Sequence, residues 1–249
     1  MFKNSVLFLI WVLVGVHCFI FFMFIMIPVW LITAPFDKKL RVTHRLSVWW
    51  ALSYIYWNPN WGVTVVGEEN IEKGKTYVVV VNHQSALDIA LLYRVPVNFR
   101  WVAKAELMRV PFIGWNLFLN RHIVVARGNA TSARHMVDKC IQTLKGGVSV
   151  MIFPEGTRSK TGRINRFKEG AFVIARDANV AILPVLVEGT SEALPRDNYK
   201  VKARQHFTIT ILPPVEQATL ADKTTNEIAA QFQQEFVALH KPMRPELYT

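Results

Sequence analysis

From Asn4 to Phe36 the chain carries no Asp, Glu, Lys or Arg, and His17 is the only basic group in that stretch. A run of 18 or more apolar residues reads as membrane-embedded. A secretory signal peptide has an apolar core of about 7–15 residues that ends at a small-residue cleavage site. This run is roughly twice that length and shows no such site, so an anchor is expected. About 30 helical residues at about 1.5 Å each reach roughly 45 Å, more than a hydrocarbon core of about 30 Å. Tilt, a break near Pro28 or a hairpin in one leaflet would each absorb the excess, and Pro35 is expected to end the segment. Lys38, Lys39, Arg41 and Arg45 follow at once, against a single Asp37. That basic flank places the downstream end on the cytoplasmic side, the inner membrane in a bacterium, and is suited to gripping anionic headgroups. The expected division is residues 1–45 as anchor and basic flank, and residues 46–249 as one further domain.

Lys plus Arg number 29 against 18 Asp plus Glu, a net charge of +11. The surplus fits nucleic acid, anionic lipid or a phosphorylated substrate, and equally a solvated basic surface. Cys18 and Cys140 form neither a metal spacing nor a disulfide framework. Both sit in apolar settings and read as packing residues; no metal site is expected.

Downstream, strand-like and helix-like segments alternate. Residues 40–60 are rich in Trp and Tyr, suited to a membrane interface or to a core. β-Branched runs at Gly62–Gly67, Thr76–Val81, Phe99–Ala103, His122–Ala126, Val148–Phe153, Val180–Val187 and His206–Leu212 predict strands. Apolar residues at Ala133, Met136, Val137, Cys140, Ile141 and Leu144 predict a helix over Thr131–Lys145, stopped by Gly146-Gly147. Ile228, Phe232, Phe236 and Leu239 predict a closing amphipathic helix. Such alternation argues an α/β sandwich with a mixed, largely parallel sheet and helices on both faces, in which sites gather at the carboxyl ends of strands.

Two strand ends carry reactive side chains. Asn82-His83-Gln84-Ser85-Ala86-Leu87-Asp88 follows the strand ending at Val81. His83 and Asp88 do not share a face of one straight helix. A turn before a helix start would bring the carboxylate to one imidazole nitrogen and leave the other to take a proton. The plainer reading is a loop histidine beside a capping aspartate. Phe153-Pro154-Glu155-Gly156-Thr157-Arg158-Ser159 ends another strand, where Gly156 permits close backbone approach, Thr157 offers a hydroxyl and Arg158 a forked cation suited to phosphate. Read alone, it is also an ordinary turn with a surface arginine.

Together these blocks resemble the glycerophospholipid acyltransferase family, in particular its 1-acylglycerol-3-phosphate members. Asn82, His83 and Asp88 match the family's Asn-His-x-x-x-x-Asp, and Phe153–Ser159 matches its Phe-Pro-Glu-Gly-Thr-Arg-Ser in full. Between them, Lys104-Ala-Glu106, Pro111-Phe-Ile-Gly114 and Arg127-Gly-Asn129 resemble the second block, and Ala181–Val185 with Pro184 the fourth. The resemblance implies a glycerol-3-phosphate acyltransferase-like sandwich. It implies His83 as general base toward the acceptor hydroxyl and Asp88 as its orienting partner. Transfer is then direct, so Ser85 is expected to cap rather than attack. Lys104, Arg127 and Arg158 are implied to hold the acceptor phosphate, with Glu155, Gly156 and Thr157 shaping the site. Lys168 and Gly170 resemble a further family feature.

The implied partners are the lipid bilayer, a lysophospholipid acceptor such as 1-acyl-sn-glycerol 3-phosphate, and an acyl-CoA or acyl carrier protein thioester as co-substrate; no cofactor, metal or nucleic acid is implied. Another acceptor, such as lyso-ornithine lipid, shares the motifs. A non-catalytic lipid-binding protein has no need of His83 and Asp88, and a hydrolase would be expected to carry a Gly-x-Ser-x-Gly elbow or a metal cluster.

Overall fold

Every residue of Tyr77-Val-Val-Val-Val81 is buried, as expected of a central strand covered on both faces. A computed structural model describes residues 2–195 and 202–249. Its elements run α1 (Phe2–Phe21), a π-helical turn (Phe22–Met26), α2 (Ile27–Thr33), α3 (Arg41–Tyr56), β1 (Trp61–Val66), β2 (Tyr77–Val81), α4 (Leu87–Leu91), β3 (Phe99–Lys104), α5 (Ile113–Leu119), β4 (Ile123–Val125), α6 (Ala130–Lys145), β5 (Ser149–Ile152), α7 (Gly170–Ala178), β6 (Ala181–Glu188), α8 (Thr190–Ala193), β7 (Gln205–Ile211) and α9 (Thr225–Met243). Among the described residues seven strands form one sheet in the order β1-β7-β6-β2-β5-β3-β4. Neighbours are parallel except β6 and β7, which run antiparallel. All seven strand predictions and both helix predictions have counterparts, so the mixed, largely parallel sandwich is the observed fold.

Alternation along β2 divides the core. Val79 and Val81 pack with Ala51, Leu52 and Ile55 of α3 and Leu91 of α4. Val78 and Val80 pack on the opposite face with Leu144 of α6, Phe172 of α7 and Phe232 and Phe236 of α9. Burying an aromatic of that size contributes roughly 1.5–3 kcal/mol. α9 starts in a capping box, the Thr224 hydroxyl accepting from Glu227 N–H and the Glu227 carboxylate accepting from Thr224 N–H. Asn129, at the end of the Arg127-Gly-Asn block, caps α6 by accepting from Ser132 N–H at 2.8 Å. Burial pushes the Cys140 thiol up to about 12, which fits a packing residue.

The N-terminal helix is neither broken at Pro28 nor folded into a hairpin. Pro28 has no N–H to give, and the preceding turn widens instead, with Ile27 N–H donating to the Phe22 carbonyl. The helix ends at Thr33, two residues before Pro35. Trp11–Thr33 is the one helix among the described residues long and apolar enough to cross a membrane. One face of it is not free: Phe21, Phe22 and Met26 are buried against Leu119 of α5, with Leu46 and Trp50 of α3 alongside. Trp30 Nε1 donates to the Leu119 carbonyl at 3.1 Å. Along the same helix, Phe19, Phe24, Leu31 and Ile32 are exposed. Residues 45 and 46 are neighbours inside α3, so the expected division at that point falls within a continuous helix.

Candidate active site

The strand order lines up the sequence blocks. Parallel β6, β2, β5, β3 and β4 present their carboxyl ends along one edge, which carries Glu188, His83, Glu155, Lys104 and Arg127 in that order. β2 hands over directly to Asn82, whose side chain continues the strand pairing: Nδ2 donates to the Val187 carbonyl at 2.9 Å, and Oδ1 accepts from Val187 N–H at 2.8 Å. The chain then turns sharply, and Asp88 is the second residue of α4.

That turn brings Asp88 back to His83. His83 Nδ1 lies 2.8 Å from Asp88 Oδ2, which also accepts the backbone N–H groups of Gln84 at 2.8 Å and Ser85 at 2.9 Å. Asp88 Oδ1 accepts the Thr190 hydroxyl at 2.5 Å. Asp88 is fully buried, while 15% of the His83 side chain is exposed. A carboxylate at Nδ1 fixes the imidazole with its proton on that nitrogen and the lone pair on Nε2. The His83 ring stacks on Phe153 at 3.9 Å between centroids, and Phe153 stacks on Trp101 at 5.5 Å, which fixes the ring plane. Ser85 sits one residue before the cap position of α4. Its hydroxyl accepts weakly from Leu87 N–H at 3.3 Å and donates to the Leu194 carbonyl at 2.7 Å, so the Asp88 carboxylate is the main acceptor in the turn.

The second block locks onto the first. Glu155 Oε1 accepts His83 N–H at 2.7 Å, and Ser159 N–H donates to the His83 carbonyl at 2.8 Å. Glu155 Oε2 accepts both N–H and Nδ2 of Asn165, at 3.1 and 2.6 Å. Burial outweighs these donors and pushes the Glu155 carboxyl up to about 7, with the nearby Asp88 charge adding to the rise. Gly156 adopts φ +70°, and a Cβ there would meet Lys168 Nζ at 3.0 Å, so the Lys168 amine lies over this glycine. Thr157 is exposed and Arg158 half-buried.

Lys104 and Arg127 end up close because β3 and β4 pair with Lys104 opposite Val125. Lys104 Nζ lies 3.1 Å from Glu106 Oε1. The Glu106 carboxyl is held below the usual range by its own backbone N–H, then by Lys104, with Arg127 close enough to add to the effect. Beside them, Leu107, Met108, Val110, Ile113, Trp115 and Phe118 are exposed, whereas Leu117 and Leu119 are buried, so most of this apolar stretch faces outward.

Two features lie outside the sequence reading. One is Thr190. The other is a buried network in which Glu188 Oε2 meets His240 Nε2 at 2.5 Å and Glu188 Oε1 accepts Arg244 at 2.7 Å. Burial alone would raise Glu188, but His240, Arg244 and Gly189 N–H hold its carboxyl below the usual range. His240 Nδ1 also meets the Tyr248 hydroxyl at 2.9 Å. A threonine after a strand and a histidine on an apolar helix face carry no pattern that marks them in advance.

A family model described as Acyltransferase matches residues 62–188, which include every block above. A 1-acyl-sn-glycerol-3-phosphate acyltransferase of Chlamydomonas reinhardtii is 32% identical over 230 residues, covering 90% of this chain and 68% of the relative. The chloroplastic 1-acyl-sn-glycerol-3-phosphate acyltransferase LPAT1 of Arabidopsis thaliana is 33% identical over 201 residues, covering 80% and 55%. A 1-acyl-sn-glycerol-3-phosphate acyltransferase of Saccharomyces cerevisiae is 36% identical over 179 residues, covering 70% and 58%. The chain thus spans little more than half of two of these relatives. In fold it matches the crystal structure of the 1-acyl-sn-glycerophosphate (LPA) acyltransferase PlsC from Thermotoga maritima, with a TM-score of 0.76 over 94% of this chain and 95% of that one, at 23% identity.

Proposed function

The chain belongs to the acyltransferase family, and on that premise we propose that it moves a fatty acyl group from an acyl-CoA or acyl carrier protein thioester to the free hydroxyl of 1-acyl-sn-glycerol 3-phosphate, forming phosphatidate. The observation that carries the chemistry is the 2.8 Å contact between His83 Nδ1 and a fully buried Asp88 carboxylate at a strand end. What supports the acceptor is the activity for which the relatives are named, together with the cationic side of the strand-end edge.

In this mechanism the acceptor hydroxyl lies against His83 Nε2. The imidazole takes the hydroxyl proton as the oxygen attacks the thioester carbonyl, and Asp88 stabilises the imidazolium that forms. Collapse of the tetrahedral intermediate breaks the carbon–sulfur bond, and the thiolate leaves with the proton from Nε2. Ester and free thiol are the products, and His83 is returned neutral. Lys104, Arg127 and Arg158 hold the phosphate; Glu155 and Gly156 fix the loop beside it, and Thr157 lines the acceptor side.

On the same reading, residues 1–45 supply membrane attachment, with the exposed face of α1 and α2 in lipid and the catalytic domain, residues 46–249, on the cytoplasmic side. The test is an acceptor panel with purified protein, following thiol release from acyl-CoA and from acyl carrier protein. Thiol release that depends on lysophosphatidate and produces phosphatidate is the expected result. Dependence on a different lysolipid sinks the acceptor assignment. Lipid binding without any thiol release sinks the enzymatic one.

A further inference from the structure

We propose that Thr190 is a positioning residue for the reaction, holding Asp88 so that His83 presents Nε2 to the acceptor; the proposal rests on the general-base reading of His83.

The Asp88 carboxylate is divided between two sets of donors. Oδ2 takes His83 Nδ1 and two backbone N–H groups of the turn, all from residues 83–85. Those three belong to the same loop as Asp88 and therefore move with it. Oδ1 takes the Thr190 hydroxyl at 2.5 Å, a donor 102 residues away at the start of α8. Both carboxylate oxygens are thus held, and the hold on Oδ1 is supplied from outside the loop. A hydrogen bond to an ionised acceptor is short and strong, and Thr190 and Asp88 are both fully buried, out of reach of bulk solvent.

The segment that carries Thr190 is itself held. Gly189 turns the chain out of β6 at φ +92°, where a Cβ would lie 2.4 Å from the His206 carbonyl oxygen. Just before it, Glu188 is fixed by His240 of α9 and by Arg244. Just after it, the Leu194 carbonyl accepts the Ser85 hydroxyl at 2.7 Å. α8 is therefore joined to the His83–Asp88 loop at both of its ends, through Thr190 and through Leu194. The rigid end of β6 passes its position to Asp88, and Asp88 passes it to His83.

The experiment compares Thr190→Val, which keeps the β-branched shape and loses the hydroxyl, with Thr190→Ser, which keeps the hydroxyl and loses the methyl. Both are made in the full chain, with folding checked by circular dichroism and thermal melting. Loss of a buried hydrogen bond to a charged group corresponds to roughly 10–100-fold. Thr190→Val is expected to lower kcat by about that factor, with KM for donor and acceptor within about twofold of wild type, and Thr190→Ser to recover most of the rate. Near-normal kcat in Thr190→Val overturns the proposal. So does a loss seen mainly in KM, a loss that only tracks the unfolded fraction, or a serine variant no better than valine. Failure of the wild-type protein to acylate lysophosphatidate overturns the acceptor assignment alone, the Thr190 ratios then being taken on whichever acceptor, or water, receives the acyl group.

Discussion

The Glu155 carboxylate accepts the backbone N–H of His83 at 2.7 Å, so the loop after β5 holds the loop after β2 at His83. The two motifs, 72 residues apart in sequence, are one construction. His83 is bound from the side of its ring by Asp88 and from the side of its backbone by Glu155 and Ser159.

Replacing His83 by Ala is expected to lower transfer by about 10²–10⁴, the usual cost of losing a general base, with folding and membrane attachment intact. Asp88→Asn keeps the shape, but its amide nitrogen would face at least one of the donors that now converge on the carboxylate. It should lower kcat more than it raises acceptor KM. Steady-state kinetics on both variants check this. An Asp88→Asn effect confined to KM would make Asp88 a binding or capping residue.

Glu155→Gln tests the second hold. Both carboxylate oxygens accept N–H donors, whereas an amide has a single accepting oxygen, so either His83 N–H or the Asn165 pair loses its partner. The buried mismatch should cost about 1–3 kcal/mol and reduce turnover. The pH dependence has a definite sign. Burial raises Glu155 from 4.5 to about 7, so between those values the folded state binds the proton that the unfolded state releases. Wild-type stability from this group therefore falls as pH rises from about 4.5 to about 7. Glutamine does not titrate. Melting temperature, taken as Glu155→Gln minus wild type, should climb across that window and then level off. A flat difference would show that the three donors, not burial, set the protonation of Glu155.

Much of this was legible in the sequence, and the reasons are specific. The β2 run of valines and the amphipathic stripe from Met136 to Leu144 have unambiguous periods, so their elements follow from pattern. His83 and Asp88 stood out because a polar cluster directly follows a buried strand. α7 (Gly170–Ala178) was not anticipated: it is nine residues long and starts directly after a loop. Thr190 and the Glu188–His240–Arg244 network were not legible because their meaning lies in contacts across 52 to 102 residues. The continuity of the helix through Pro28 was also hidden, since a π-turn absorbs the missing N–H without a change in sequence pattern.

The N-terminal helix has a packed side and an exposed side, and mutation can separate what each contributes. Phe22 is fully buried, with ring centroids 5.1 Å from Trp50, 5.8 Å from Phe112 and 5.9 Å from Trp115. Phe22→Ala should destabilise the protein by about 3–5 kcal/mol, seen as a lower melting temperature in detergent. The triple change Phe24→Ser, Leu31→Ser and Ile32→Ser touches only the exposed face and should weaken sedimentation with vesicles while leaving the melt nearly unchanged. Lys38 and Arg41 should preserve a salt-sensitive remnant of binding to anionic vesicles. Undiminished vesicle binding of the triple variant in high salt would show that another surface holds the protein to lipid. Deleting residues 1–36 would mix the two effects, because it also uncovers Leu119 and Trp50.

Lys104 and Arg127 both act on the Glu106 carboxyl; Lys104 ends β3, two strands along the sheet from β2 and His83, and Arg127 follows β4, three strands along. Arg158 belongs to the loop that Glu155 and Ser159 fasten to His83. A phosphate monoester carries close to two negative charges near neutral pH and several acceptor oxygens, and a guanidinium engages two of them at once. Arg158→Ala should therefore weaken use of lysophosphatidate severely, and Arg158→Lys should restore only part, because an ammonium lacks the forked geometry. Competition between lysophosphatidate, lysophosphatidylcholine and a lyso-ornithine lipid at fixed acyl-CoA checks this directly. Wild type should favour lysophosphatidate, and Arg158→Ala should narrow that preference by losing the phosphate substrate more than the others. Equal or better use of the phosphate-free lyso-ornithine lipid by wild type would overturn the acceptor assignment. The general-base proposal for His83 and Asp88 would stand, because it concerns the hydroxyl and not the headgroup.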